Sequence, residues 1–241
     1  GAPNFGTNLT AVKAPLTLVK TVTENLQNFP NDFVKRFHYS DAVMQTTGKG
    51  FLGFRVRGIV DENMGISKSV INSISATPAL LYPTEVVKGK TKGIVEIVEK
   101  SKYNYEIEKV TGRMFHLKLT KEKTTDYLNF VSTTTTYSSF HNGRAATIKT
   151  LVGSKWSSTE TYEDFSTAAN HLVFLPQTKT VTLWGEEGGK ETTKEKIAYN
   201  AQFSPTRTIE LHGTDLAVTT NFAYEANGNL KKSRYARPAE T

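Results

Sequence analysis

Along much of this 241-residue chain, apolar side chains recur at every second position. In Phe115-His116-Leu117-Lys118-Leu119-Thr120 the apolar side chains fall on one face and the polar ones on the other. Ile197, Tyr199, Ala201 and Phe203 repeat the pattern, as do Val218, Phe222 and Tyr224 with Thr220 between them. Phe33, Phe37 and Tyr39 alternate against Arg36 and His38. A period of two predicts half-buried antiparallel strands. Thr, Val, Ile, Tyr and Phe suit them, because branched or flat side chains pack well on a pleated surface. Turn residues punctuate the pattern at Asn142-Gly143, Gly188-Gly189, His212-Gly213-Thr214-Asp215 and Asn227-Gly228-Asn229. Asn-Gly between alternating apolar residues is a strong hairpin signal, since both residues tolerate positive φ. A helical turn is expected only over Asn28 to Val34, and Pro30 sits inside it. The reading is all-β, with roughly twelve to fifteen hairpin-linked strands in a sandwich, a barrel or a long curved sheet.

Spacing divides the chain near residues 120–130, giving a β region over 1–125 and a Thr-rich hairpin region over 126–241. The first is irregular, with a loop expected around Thr77 to Pro83; in the second, strand pairs recur roughly every 20 residues and suggest an internal repeat. The run Thr133 to Thr136 follows Phe130-Val131 and ends at Tyr137, which favours an extended strand over low-complexity coil.

Composition narrows the function classes. Apolar content of 37% and charged content of 22% are ordinary for a globular protein. No apolar run approaches the length of a membrane-spanning helix, so no membrane span is expected. Gly1-Ala2-Pro3-Asn4 offers neither a basic nor an apolar leader region, and the abrupt start suggests a mature form or a piece of something longer. Without cysteine, disulfides, thiolate zinc sites and cysteine nucleophiles are excluded. The net charge of +7 raises the prospect of an acidic partner. Yet the basic runs Lys88-Gly89-Lys90-Thr91-Lys92, Lys121-Glu122-Lys123 and Lys231-Lys232-Ser233-Arg234 are dispersed and read as solvated turns or protected strand edges, so no nucleic acid is expected.

Candidate chemistry is sparse. The histidines His38, His116, His141, His171 and His212 lie far apart and lack ligand spacing, so no metal or cofactor is expected. There is no nucleophile elbow, phosphate loop or dinucleotide fingerprint. The acids Asp61-Glu62, Glu160, Glu163-Asp164 and Glu186-Glu187 sit in polar, turn-like contexts rather than as a hydrolytic pair. Trp156, Trp184 and Tyr162 could stack on a sugar, although both tryptophans read as core residues on strand faces. A hydrolase whose residues meet only in three dimensions stays open.

Gly48-Lys49-Gly50-Phe51-Leu52-Gly53-Phe54 stands out, because glycine weakens a strand and usually marks a bulge or a close backbone approach. It reads as a bulged strand that plants Phe51 and Phe54 in a core. With Tyr39, Ala42, Asp61 and Gly65 around it, this segment resembles the "GRGFLGF" region of Rhs/YD-repeat proteins, closest to the B and C components of Tc-type insecticidal toxins. Leu175-Pro176-Gln177-Thr178 to Trp184 resembles that family's "lGrPT" strand, and Ile197-Ala198-Tyr199-Asn200 a degenerate "F.YD" strand. Phe222-Ala223-Tyr224-Glu225-Ala226-Asn227-Gly228-Asn229-Leu230 is similar to the repeat core "YDanGNL", with Glu225 in place of the usual Asp. The similarity runs from about residue 30 to about 235.

The resemblance implies a long curved sheet, with a β-sandwich pair as the alternative. It implies a non-catalytic wall segment of a secreted or cell-surface bacterial virulence protein, enclosing or displaying a toxin or effector polypeptide. The structural motif residues are then Gly48, Gly50, Phe51, Gly53 and Phe54, together with Tyr224, Asn227, Gly228 and Asn229. The family's self-cleaving string "DPxGL" has no counterpart here. The partner implied is the rest of the parent polypeptide or another protein, and the oligomeric state is open. A surface-binding module for carbohydrate or protein is the competing reading.

Overall fold

A computed structural model describes residues 8–12, 17–25, 32–92, 96–112, 114–166, 175–186 and 188–236. Every regular element among them is a strand. The first eight are β1 (Leu9–Ala11), β2 (Thr21–Glu24), β3 (Phe33–Gln45), β4 (Gly50–Asp61), β5 (Ile66–Ala76), β6 (Ala79–Lys90), β7 (Glu96–Thr111) and β8 (Met114–Asp126). There follow β9 (Val131–His141), β10 (Arg144–Val152), β11 (Trp156–Phe165), β12 (Pro176–Trp184), β13 (Lys190–Tyr199), β14 (Pro205–Glu210), β15 (Val218–Tyr224) and β16 (Leu230–Ala236). From β3 to β16 each strand bonds to the next in sequence. β1 and β2 share the remaining edge of β3, β2 along Phe33–Arg36 and β1 along Val43–Gln45. The expected all-β, hairpin-linked antiparallel architecture is therefore what forms. One continuous strand order replaces the alternative of a paired sandwich, whose connections would cross between sheets.

The turns at Asn142-Gly143, Gly188-Gly189, His212 to Asp215 and Asn227 to Asn229 all fall between strands, and Thr133 to Thr136 lies inside β9. Three expectations change. The loop expected over Thr77 to Pro83 is a tight hairpin turn at Thr77-Pro78, and Pro83 lies within β6 opposite Asn72, where the register slips. A slip of that kind is where a strand tolerates a residue without an N–H. Ala201 and Phe203 do not continue their strand; β13 stops at Tyr199 and residues 200–204 turn the chain. Asn28 to Asn31 lie outside the described residues, and Phe33 and Val34 are strand.

By contacts the chain forms two units, residues 1–104 with 122–132, and residues 105–121 with 133–241. In the first, Leu9, Val43 and Ala79 are the buried apolar residues, beside buried Asn72 and Ser101. Both polar groups are satisfied: Asn72 donates to the Phe54 carbonyl at 2.8 Å, and Ser101 shares a hydrogen bond with Thr124 at 2.8 Å. In the second, Ala146, Leu175, Thr178 and Thr220 are buried. Its many threonines act across strands, Thr135 with Thr150 at 3.1 Å and Thr182 with Thr192 at 3.2 Å. Such cross-strand pairs are the unit of sheet stabilisation. Among the described residues, twenty large hydrophobic side chains stand open to solvent against five buried apolar residues.

Candidate functional site

The Gly-Phe segment forms the turn and first half of the β3–β4 hairpin. Gly48 (φ 135°) and Gly50 (φ 68°) shape the turn. At Gly53 (φ 130°) the register slips, so that Val43 faces Gly53 and Met44 faces Phe51, leaving Leu52 as the extra residue. A Cβ on Gly53 would also come within 3.3 Å of Leu81 Cδ1. Lys49 Nζ donates to the Ala79 carbonyl at 3.0 Å and ties the turn to β6. The Phe54 ring stands 5.0 Å from Tyr39 and 5.3 Å from Phe51, edge-on to the latter. Phe54 is half-buried. Phe51, expected in the core, is 49% exposed.

The Tyr224 segment belongs to a repeated device. Tyr199, at the end of β13, donates its hydroxyl to the carbonyl of Pro176, the first residue of β12, at 2.9 Å. Twenty-five positions on, Tyr224 ends β15 and donates to the carbonyl of Pro205, the first residue of β14, at 2.8 Å. The turns that follow match. Asn200 N donates to Ser204 O and Phe203 N to Asn200 O, while Glu225 N donates to Asn229 O and Gly228 N to Glu225 O. Phe203 (φ 64°) and Gly228 (φ 88°) hold the same left-handed position, and a register slip precedes each tyrosine. Asn227 Oδ1 accepts from Asn229 N at 3.0 Å; Asn200 Oδ1 accepts from Gln202 N and Ser204 N at 3.0 and 2.9 Å. Burial, then the charge of Glu195, pushes the Tyr199 hydroxyl pKa up, which keeps it a donor.

Most of the candidate acids are engaged structurally. Glu62 pairs with Arg36, and Glu186 with Lys155. Glu160 accepts from the Tyr162 hydroxyl at 2.8 Å and lies 3.5 Å from Lys179 Nζ. Asp164 accepts from the buried Thr178 hydroxyl at 2.7 Å, beside a cavity of about 470 Å³ that Lys196, Tyr199 and Arg207 also line. Glu187 and His171 lie outside the described residues. His141 stacks on Phe165 at 3.9 Å. No group of three His, Cys, Asp or Glu among the described residues could hold a metal ion.

One cluster was not visible in the sequence. Glu108 on β7 bonds Lys118 Nζ at 2.8 Å and sits 3.6 Å from His116 Nδ1. The Lys118 hydrogen bond leads in holding the Glu108 carboxyl below its ordinary range. Lys118 lies 5.0 Å from the Phe140 ring centroid with its side chain 11% exposed, while Leu117 faces solvent. Within Phe115–Thr120, Leu117 is thus exposed while Lys118 is covered, and Phe115 and Leu119 are half-buried. Gly143 (φ 77°) lets that turn lie against the His116 ring, since a Cβ there would come within 2.8 Å of its Cγ. Trp156, expected in a core, is 57% exposed and leans on Gly185 beside Trp184 in a groove of about 350 Å³.

No protein-family model matches this chain, and no curated protein matches it. Solved structures do. The crystal structure of TcdB2-TccC3 superposes on 74% of this chain with a TM-score of 0.56 at 8% sequence identity. TcdB2-TccC3-TEV superposes on 80% with a TM-score of 0.53, also at 8% identity. The match spans 15% of each of those chains. At that identity the likeness is one of fold.

Proposed function

We propose that the chain is a non-catalytic wall segment of a larger Rhs/YD-repeat-type bacterial protein, secreted or carried at the cell surface. In this reading it forms part of a β shell that encloses or displays a toxin or effector polypeptide. The observation that carries the proposal is the fold shared with TcdB2-TccC3 over most of this chain and a small part of theirs. The repeated tyrosine latch and the many uncovered apolar side chains support it, because stacked repeat units bury their faces only against neighbours. The partner is then the remainder of the parent polypeptide or the protein it holds. No helix among the described residues is long and apolar enough to cross a membrane. An electron cryomicroscopy map of the parent polypeptide tests the reading. The expected outcome is strand-to-strand continuation beyond β16 and protein covering Phe51, Trp156 and Leu216. A free-standing domain with solvent over those side chains would sink it.

The exposure of Trp156 beside Trp184 favours one second reading, a platform that stacks a sugar ring. Quenching of indole fluorescence by neutral oligosaccharides, lost in Trp156→Ala, is its expected signature.

A further inference from the structure

The turn between β8 and β9 presents Tyr127, Leu128 and Phe130 to solvent, and Phe130 is 88% exposed. Phe130 holds φ at 54°, a region that is strained for a bulky side chain and cheap for Asn or Gly. The tip is nonetheless fixed. Asp126 Oδ1 accepts from Leu128 N at 2.8 Å and Asn129 N at 3.1 Å, and its Oδ2 accepts from Asn129 Nδ2 at 2.7 Å. Asp126 is the only charged residue from Thr124 to Ser132, so the tip is apolar and anionic.

The same unit carries a groove of opposite charge balance. A groove of about 370 Å³ has Ile59, Ile66 and Val98 as its apolar wall and the stems of Lys35, Lys68 and Lys88 around it, with Asp61 as its one acid. Lys88 is neutralised by Glu99 at 2.7 Å. Lys68 lies directly across from Lys88 in the β5–β6 register and has no ion pair among the described residues. An anion entering with an apolar side chain would pair with Lys68 and cover the exposed wall.

Tip and groove adjoin, because the Tyr127 N–H donates to the Val98 carbonyl at 3.0 Å and Val98 lines the groove. Neighbouring patches that complement one another can both be used at once across a two-fold axis.

We propose that this unit pairs with a second copy of itself, each copy seating its Phe130 tip in the Ile59–Ile66–Val98 groove of the other beside Lys68. The interface is small, so the dimer is weak and concentration-dependent. The proposal stands apart from the shell reading, which a monomeric result would leave intact. Sedimentation equilibrium of the full chain over a wide concentration series tests it. The expected result is a monomer–dimer equilibrium that weakens about tenfold, equivalent to about 1.4 kcal/mol, in Phe130→Asn. Asn suits the left-handed backbone, so thermal unfolding of that variant should stay unchanged or rise. Lys68→Glu should weaken the dimer as well, through repulsion of Asp126. A chain that stays monomeric throughout, or a Phe130→Asn variant that dimerises as tightly as the parent, overturns it.

Discussion

The hydroxyls of Tyr199 and Tyr224 each close a hairpin by bonding the first carbonyl of the preceding strand, which a proline supplies. Removing one such bond leaves a half-buried carbonyl short of a partner, at a cost of about 0.5–1.5 kcal/mol. Tyr224→Phe should therefore lower the urea midpoint measurably. Tyr235→Phe, at a side chain 77% exposed, should not. Equal effects would show that the latch bond contributes no stability of its own. Tyr162 makes a prediction about pH. Burial, then the hydrogen bond to Glu160, pushes its hydroxyl up to about 12 from an ordinary 10.0. Between those values the folded state holds the proton that the unfolded state has lost, so stability must fall as pH rises through that window. Tyr162→Phe should flatten this alkaline decline in circular-dichroism melts. An unaltered slope would assign the decline to other groups.

At the scale of elements, the hairpins were legible because their signals are local. Asn142-Gly143 and Asn227-Gly228 announce positive φ in the residues themselves, and the structure turns there. Which face of a strand becomes covered is not local. The alternation in Phe115–Thr120 predicts a half-buried strand, but not that Glu108 and Phe140 on other strands draw Lys118 into cover while Leu117 is left exposed. The tyrosine latch was hidden for the same reason, since Tyr199 and Pro176 lie 23 residues apart. The repeat itself showed in the likeness of Ile197-Ala198-Tyr199-Asn200 to Phe222-Ala223-Tyr224-Glu225, but its spacing of 25 exceeds the rhythm that turn residues alone suggested. The two turns also differ in how they are held. Asn200 Oδ1 accepts two backbone N–H groups, and no apolar side chain replaces them. Asn200→Ala should thus destabilise by about 1–2 kcal/mol, more than Asn227→Ala, whose side chain accepts one. Chemical denaturation of the two variants side by side decides it.

At the scale of the whole molecule, the longest fully exposed strand is β16. Among the described residues β16 pairs with β15 alone, every one of its residues is exposed, and Leu230 and Tyr235 project from it into solvent. A strand with one unpaired edge is a template for pairing with another chain, and lysine on the edge is a common defence. Lys231, Lys232 and Arg234 stand on it without a nearby acid in the strand. Their charges repel an identical edge while leaving the backbone available to a partner that brings carboxylates. Replacing all three by threonine keeps strand propensity and removes the repulsion. Thermal stability should stay nearly level, because the side chains are solvated and make no ion pair among the described residues. Light scattering at physiological salt should rise steeply with concentration for the variant and stay flat for the parent chain. Raising the salt should move the parent toward the variant, since screening shortens the reach of those charges. If scattering is the same for both at every salt concentration, the edge is guarded by something other than charge, and the twist of β15 and β16 at the Ala223–Tyr224 slip becomes the next feature to alter.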